Sequence, residues 1–269
     1  MKLTVLVDNN TYIDQYYLGE PAVSYYMEDG GARVLLDTGY SDILLSNAER
    51  MGIDLSRLTH IALSHGHNDH TGGLLFLLER YPQLCAELVA HPDCFAPKRD
   101  GAVDIGAPIS IEAAARCLRY HPRRTPFALT KRLLWLGEIP RTNSFEAQRP
   151  IGEHLCGGQW AGDRLRDDTA LVYTGRDGLF IITGCSHSGI CNIMEYAKQV
   201  TGETRIAGII GGFHLLEQNA QLDETVAALS AAHVRRLYPC HCVSLAAKAS
   251  MLRCLPVEEV GVGLTICIE

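Results

Sequence analysis

The stretch Ser64-His65-Gly66-His67-Asn68-Asp69-His70-Thr71-Gly72-Gly73 constrains this chain more than any other part of it. In an extended segment residues i and i+2 face the same side, so His65 and His67 can grip one cation. Asp69 and His70 come one step later, where the chain turns into a helix, and can reach a second cation. Four ligand-type residues within six positions, followed by Thr-Gly-Gly and an apolar run, argue against a mere patch of surface histidines. Two ions about 3.5–4 Å apart can share a hydroxide, acidify it and clamp an oxyanion. Imidazole with carboxylate suits zinc, with iron or manganese as alternatives.

The rest of the composition fits such a site. With 269 residues, 47% hydrophobic and 20% charged, the chain reads as one globular domain over 1–269. The start MKLTVLVDNN lacks the apolar region of a signal peptide, and no apolar run approaches the length of a membrane span. A cytoplasmic location without membrane contact is expected. Ten cysteines without a Cys-x-x-Cys pair read as reduced thiols, one or two of them at a metal. A net charge of −7 argues against nucleic acid as a partner. The charge is uneven, because residues 98–149 hold ten Lys/Arg against five Asp/Glu.

Short β-rich runs alternate with helical patterns, which predicts a layered α/β fold. Strands are expected at 3–7, 22–27, 33–37, 60–63, 86–91, 169–173, 179–183, 205–210, 234–238 and 264–268. Helices are expected at 43–51, 71–80, 190–200 (capped by Ser188), 222–232 and 245–252. From about 95 to 160 Pro, Gly and basic residues interrupt the pattern around one helix at 111–119, which reads as an insertion or lid. Five strands end in a potential ligand: Asp37, His65, Cys185 with His187, His214, and His241. Such strand ends commonly form one rim of a layered fold and carry its site.

The string at 65–70 resembles the His-x-His-x-Asp-His signature of the metallo-β-lactamase superfamily. The early Leu36-Asp37-Thr38-Gly39 and the late His241 after a strand fit the same order. Three more stretches resemble one subfamily: Gly137-Glu138-Ile139-Pro140-Arg141, Gly184-Cys185-Ser186-His187-Ser188-Gly189-Ile190 with Asn192, and Gly211-Gly212-Phe213-His214-Leu215. Its members are described as metal-dependent hydrolases related to an archaeal dihydropterin ribofuranosyl-aminobenzene-phosphate synthase.

The resemblance implies a four-layered αββα sandwich and two divalent metal ions. His65, His67 and a third histidine would hold the first ion; Asp69, His70 and His241 would hold the second. Asp37 would orient a ligand from behind. Cys185 stands where most members have a bridging Asp, so it is either a soft ligand or a buried thiol. The usual third ligand of the first ion lies in a loop before that strand, where His154 is the nearest histidine; His187 is favoured over it. His214 falls where some phosphodiesterase members carry a histidine that contacts phosphate or gives up a proton. With Asp69 it completes the expected catalytic pair, and the two glycines before it would let backbone approach a ligand.

The basic residues Lys98, Arg99, Arg123, Arg124, Lys131, Arg132 and Arg141 could line the mouth and attract a small anionic substrate, with Arg141 the expected contact. The leading expectation is hydrolysis of a small anionic, phosphate-bearing substrate by a hydroxide shared between two metals. The alternatives are a dihydropterin-type synthase on the same ions and a metal-binding protein without catalysis.

Overall fold

Strands that are apolar at nearly every position must bury both faces, and LTVLV, ALVY, GLFIIT and IAGII are of that kind. The computed structural model, which describes residues 1–269, stacks them into two sheets. The first contains β1 (Lys2–Val7), β2 (Ser24–Asp29), β3 (Ala32–Leu36), β4 (His60–Ala62), β5 (Glu87–Ala90), β8 (Arg119–Pro122) and β17 (Thr265–Cys267), ordered β17-β1-β2-β3-β4-β5-β8. The second contains β9 (Phe127–Ala128), β10 (Leu133–Trp135), β13 (Ala170–Gly175), β14 (Gly178–Thr183), β15 (Ile206–Gly211) and β16 (Leu237–Pro239), ordered β16-β15-β14-β13-β10-β9. A separate small sheet is formed by β6 (Lys98–Asp100), β7 (Val103–Asp104), β11 (Glu153–Cys156) and β12 (Gln159–Gly162).

Side-chain alternation along each strand divides the core into three layers. Val5, Tyr25, Met27, Val34 and Leu36 face Leu171, Tyr173, Phe180, Ile182 and Ile210 between the sheets, with Trp135 fully buried among them. The odd partners of the same strands, such as Leu6, Tyr26, Leu35 and Ile61, face outward. There they meet α1 (Ile43–Arg50), α3 (Gly73–Arg80) and α4 (Ile111–Ala114), while α2 (Asn68–Thr71) is a single turn leading into α3. On the far side Val172, Leu179, Ile181 and Ile209 pack against α5 (Ile190–Thr201), α6 (Ala220–Ala231) and α7 (Leu245–Met251). The order is helix, sheet, sheet, helix, the expected αββα sandwich. No helix is long and apolar enough to cross a membrane.

Three local expectations are corrected. The segment 95–160 is not one insertion: β8 pairs in parallel with β5, and β9 and β10 extend the second sheet beside β13. Only β6, β7, β11 and β12 stand outside the sandwich. The helix expected at 111–119 stops after Ala114, and Arg119 already pairs with Glu87. Nor does Ser188 cap α5. Gly189 precedes that helix without a side-chain cap, and the buried Glu146 accepts from the N–H groups of Cys191 and Asn192, both at 3.0 Å. A carboxylate at a helix N-terminus satisfies orphan donors and complements the dipole, even when it comes from a distant loop.

Candidate metal centre

The parallel strands β3, β4, β14, β15 and β16 all end on one rim, and the expected residues lie just beyond those ends. Asp37, Ser186, His214 and His241 leave their strands with positive φ, 48–57°, a region that costs a non-glycine residue about 1 kcal/mol or more. Four of the eight non-glycine residues with positive φ gather at this rim. Gly66 passes so close to the next segment that a Cβ there would lie 1.9 Å from the Cys94 carbonyl oxygen. The glycines before His214 serve packing rather than ligand approach: a Cβ on Gly212 would meet Cys242 Sγ at 2.5 Å and Gly184 O at 2.6 Å.

The structure brings together His65, His67, Asp69, His70, Cys185, His187 and His241. Ligand atoms of Asp69, His70, Cys185 and His241 lie within 4.8 Å of one another, and so do those of His65, Cys185 and His187. The Cys185 thiol thus belongs to both groups. The His67 ring completes the second of them, with its centroid 4.6 Å from His65 and 5.1 Å from His187. His154 lies elsewhere, in β11 of the small sheet, with Nδ1 3.5 Å from Asp163.

Hydrogen bonds set the tautomers that a metal needs. Asp37 Oδ2 accepts from His70 Nδ1 at 2.7 Å, so the proton sits there and Nε2 turns inward. Ser64 Oγ donates to Asp37 Oδ2 at 2.7 Å and so can accept from His65 Nδ1 at 3.0 Å. Asn9 Oδ1 does the same for His241 Nδ1 at 3.2 Å. The inward nitrogens are left without partners: His65 Nε2, His67 Nε2 and both ring nitrogens of His187 are buried with no hydrogen bond in the protein. An orphaned buried polar atom costs about 1–3 kcal/mol, and three histidines carrying such atoms at one point fit a cation.

The electrostatics point the same way. Burial, with the neighbouring histidines, holds His65 and His187 well below the ordinary histidine range, and burial brings His67 down to about 4. All three are therefore neutral and offer lone pairs. Burial would also lower His70, but the carboxylates of Asp69 and Asp37 outweigh it and raise this group well above the ordinary value. In the metal-free chain a proton on His70 balances those carboxylates; a divalent ion bound at Nε2 would do the same. Burial alone would raise Asp69, yet His70 and His241 hold it below the usual carboxylate range. Burial raises the Cys185 thiol, so a thiolate there needs a cation.

His214 stands beside this cluster, its ring centroid 4.6 Å from that of His187. Arg141 does not reach into the cluster: its guanidinium donates to the carbonyl oxygens of Arg164 and Leu165. Three residues of the expected basic mouth are paired with carboxylates instead. Lys98 is buried between Asp163 and Asp167, Arg99 pairs with Glu153, and Arg124 pairs with Asp93 and Glu138. The segment is locally basic because most of its counter-charges come from outside it.

Sequence reasoning missed three carboxylates that grip the ligand loops. Asp8 Oδ1 accepts from His241 N at 3.0 Å, Asp167 Oδ2 from Gly66 N at 2.8 Å, and Asp168 Oδ1 from His187 N at 2.9 Å. Their only trace in the sequence is an acid at a strand end or start, a weak signal.

Comparisons with known proteins agree with this fold. The family model of the metallo-beta-lactamase superfamily matches residues 18–138. The uncharacterized protein MJ0448 of Methanocaldococcus jannaschii is 32% identical over 80% of this chain and 79% of its own length. The 7,8-dihydropterin-6-methyl-4-(beta-D-ribofuranosyl)-aminobenzene-5'-phosphate synthase of the same organism is 29% identical over 80% of this chain and 77% of its own. Among solved structures, Tm1679, described as a metal-dependent hydrolase of the beta-lactamase superfamily, superposes with a TM-score of 0.86 at 29% identity, covering 100% of this chain and 99% of that one. With its αββα layers and these relatives, the chain belongs to the metallo-β-lactamase superfamily.

Proposed function

We propose that this protein is a metal-dependent hydrolase of a small anionic substrate, most simply one bearing a phosphate ester. The observation that carries the reading is the convergence of unpartnered, neutral imidazole nitrogens on a rim shared with Asp69, Cys185 and His241. Two divalent ions there, zinc by the donor set, would acidify a water and stabilise an oxyanion. The chain's own groups would do the rest. The Asp69 carboxylate, 26% exposed at the open side of the cluster, can accept a hydrogen bond from a water and orient it. The His214 imidazole, beside His187, can donate to a substrate oxyanion or pass a proton to a leaving group. The likeness to Tm1679 favours hydrolysis.

The second reading, a synthase acting on a dihydropterin-type substrate, is favoured by the similarity to the archaeal synthase alone. The test is a panel of nitrophenyl phosphodiesters, phosphomonoesters and carboxyl esters, assayed with fully metallated protein. We expect hydrolysis of at least one phosphoester, lost on chelation and restored by zinc, manganese or iron. Metallated protein that hydrolyses none of them but joins an aryl amine to a dihydropterin carrying a leaving group on its 6-methyl carbon, with release of that group and the amine proton, would establish the synthase instead. Protein inert in both assays would leave only metal binding without catalysis.

A further inference from the structure

The buried carboxylates of the segment Asp163–Asp168 have no role in the chemistry above. The segment crosses between two ligand-bearing loops. On one side Asp167 Oδ2 accepts from the N–H of Gly66, the residue between His65 and His67, at 2.8 Å. Its other oxygen lies 3.2 Å from Lys98 Nζ, which also donates to Asp163 at 2.6 Å. On the other side Asp168 accepts from the N–H groups of His187 and Ser188, both at 2.9 Å, and from Ser188 Oγ. Thr169 N completes the link by donating to Ser64 O at 2.9 Å.

His187 depends on this contact. Both of its ring nitrogens are without partners, and the preceding Ser186 sits in the left-handed region at φ 57°. The Asp168 carboxylate on its backbone N–H anchors the loop from which the ring projects. In sequence, Asp168 precedes β13, and the contact spans 19 positions to reach the far end of β14. We propose that Asp168, with the Lys98–Asp167 pair, is a positioning residue for the first metal site, a clasp that holds the His187 loop against the His65-Gly66-His67 loop. Asp8 does the corresponding work for the second site through the His241 N–H. The inference rests on the metal-centre reading and assigns a distinct carboxylate to each half of that centre.

The experiment measures zinc affinity at each site by chelator competition, and the d–d spectrum of the cobalt-substituted protein, for wild type, Asp168→Ala, Asp168→Asn and Asp8→Ala. Removing a partner that orients a ligand typically weakens metal binding by about 10–100-fold. Asp168→Ala should show a loss of that size at the site of His65, His67 and His187, and leave the other site within about 3-fold of wild type. Asp8→Ala, which removes the acceptor of the His241 N–H, should show the reverse pattern. Asp168→Asn keeps an acceptor for the His187 N–H and should recover part of the affinity; it also serves if Asp168→Ala does not fold.

A purely structural role would lower the melting temperature but leave both affinities of the folded protein, and the cobalt spectrum, unchanged. That result overturns the inference, as does equal weakening of both sites by either variant. Wild-type protein that takes up no metal overturns the metal-centre reading itself, and the clasp with it.

Discussion

Turnover of His214→Asn should fall by about 10²–10⁴, the usual contribution of a positioned acid, base or hydrogen-bond donor, while metal content and melting temperature stay close to wild type. His214 lies at the end of β15 with φ 48°, a conformation Asn tolerates well, so this substitution adds little backbone strain. Its backbone N–H donates to Cys242 Sγ at 3.3 Å, a contact the variant keeps. What the variant loses is an imidazole beside His187, the next ring at 4.6 Å. If the ring served packing alone, the loss would appear as destabilisation of about 1–3 kcal/mol with intact turnover per folded molecule. If it held an ion, metal would be lost together with activity. One variant measured for metal, melting and rate separates the three outcomes.

Lys98→Met should destabilise the fold by about 3–5 kcal/mol, as removal of one partner from a buried ionic cluster does. Lys98 is 3% exposed, and its ammonium lies 2.6 Å from Asp163 and 3.2 Å from Asp167, both buried. Methionine matches the aliphatic stem and removes the charge, so two carboxylates remain close together without a counter-ion. Urea unfolding of the two proteins at neutral pH measures the difference. A loss below about 1 kcal/mol, the scale of an exposed pair, would show that the cluster is effectively solvated.

Lys98 also shows where the sequence is hard to read. A run of ten basic residues against five acidic ones looks like an anion-attracting face. The partners of Lys98 are 65 and 69 positions away, and nothing local marks the pairing. The same holds for Asp8, whose acceptor role toward His241 spans 233 positions, and for Glu146, which caps a helix 45 positions on. Contacts from a carboxylate to a backbone N–H leave no residue-type signature at the donor end.

The ligand rim was legible for the opposite reason. His65, His67, Asp69 and His70 are close in sequence, and Cys185, His187 and His214 follow strands that are apolar at nearly every position. The αββα layering was legible through the same strands. The short strands β8, β9 and β10, of two to four residues, were not. They are too short to show a period, and Pro122 and Pro126 break the run between them.

Two divalent ions are proposed to bind at this rim. The direct measurement is anomalous scattering at the metal edge, with elemental analysis, on crystals of protein purified without chelator. We expect about two ions per chain, one against His65, His67 and His187 and one against Asp69, His70 and His241, with Cys185 between them. Asp69→Ala or His70→Ala should empty the second position and leave the first occupied. Protein without bound metal, whose stability and activity ignore a chelator, would contradict the account.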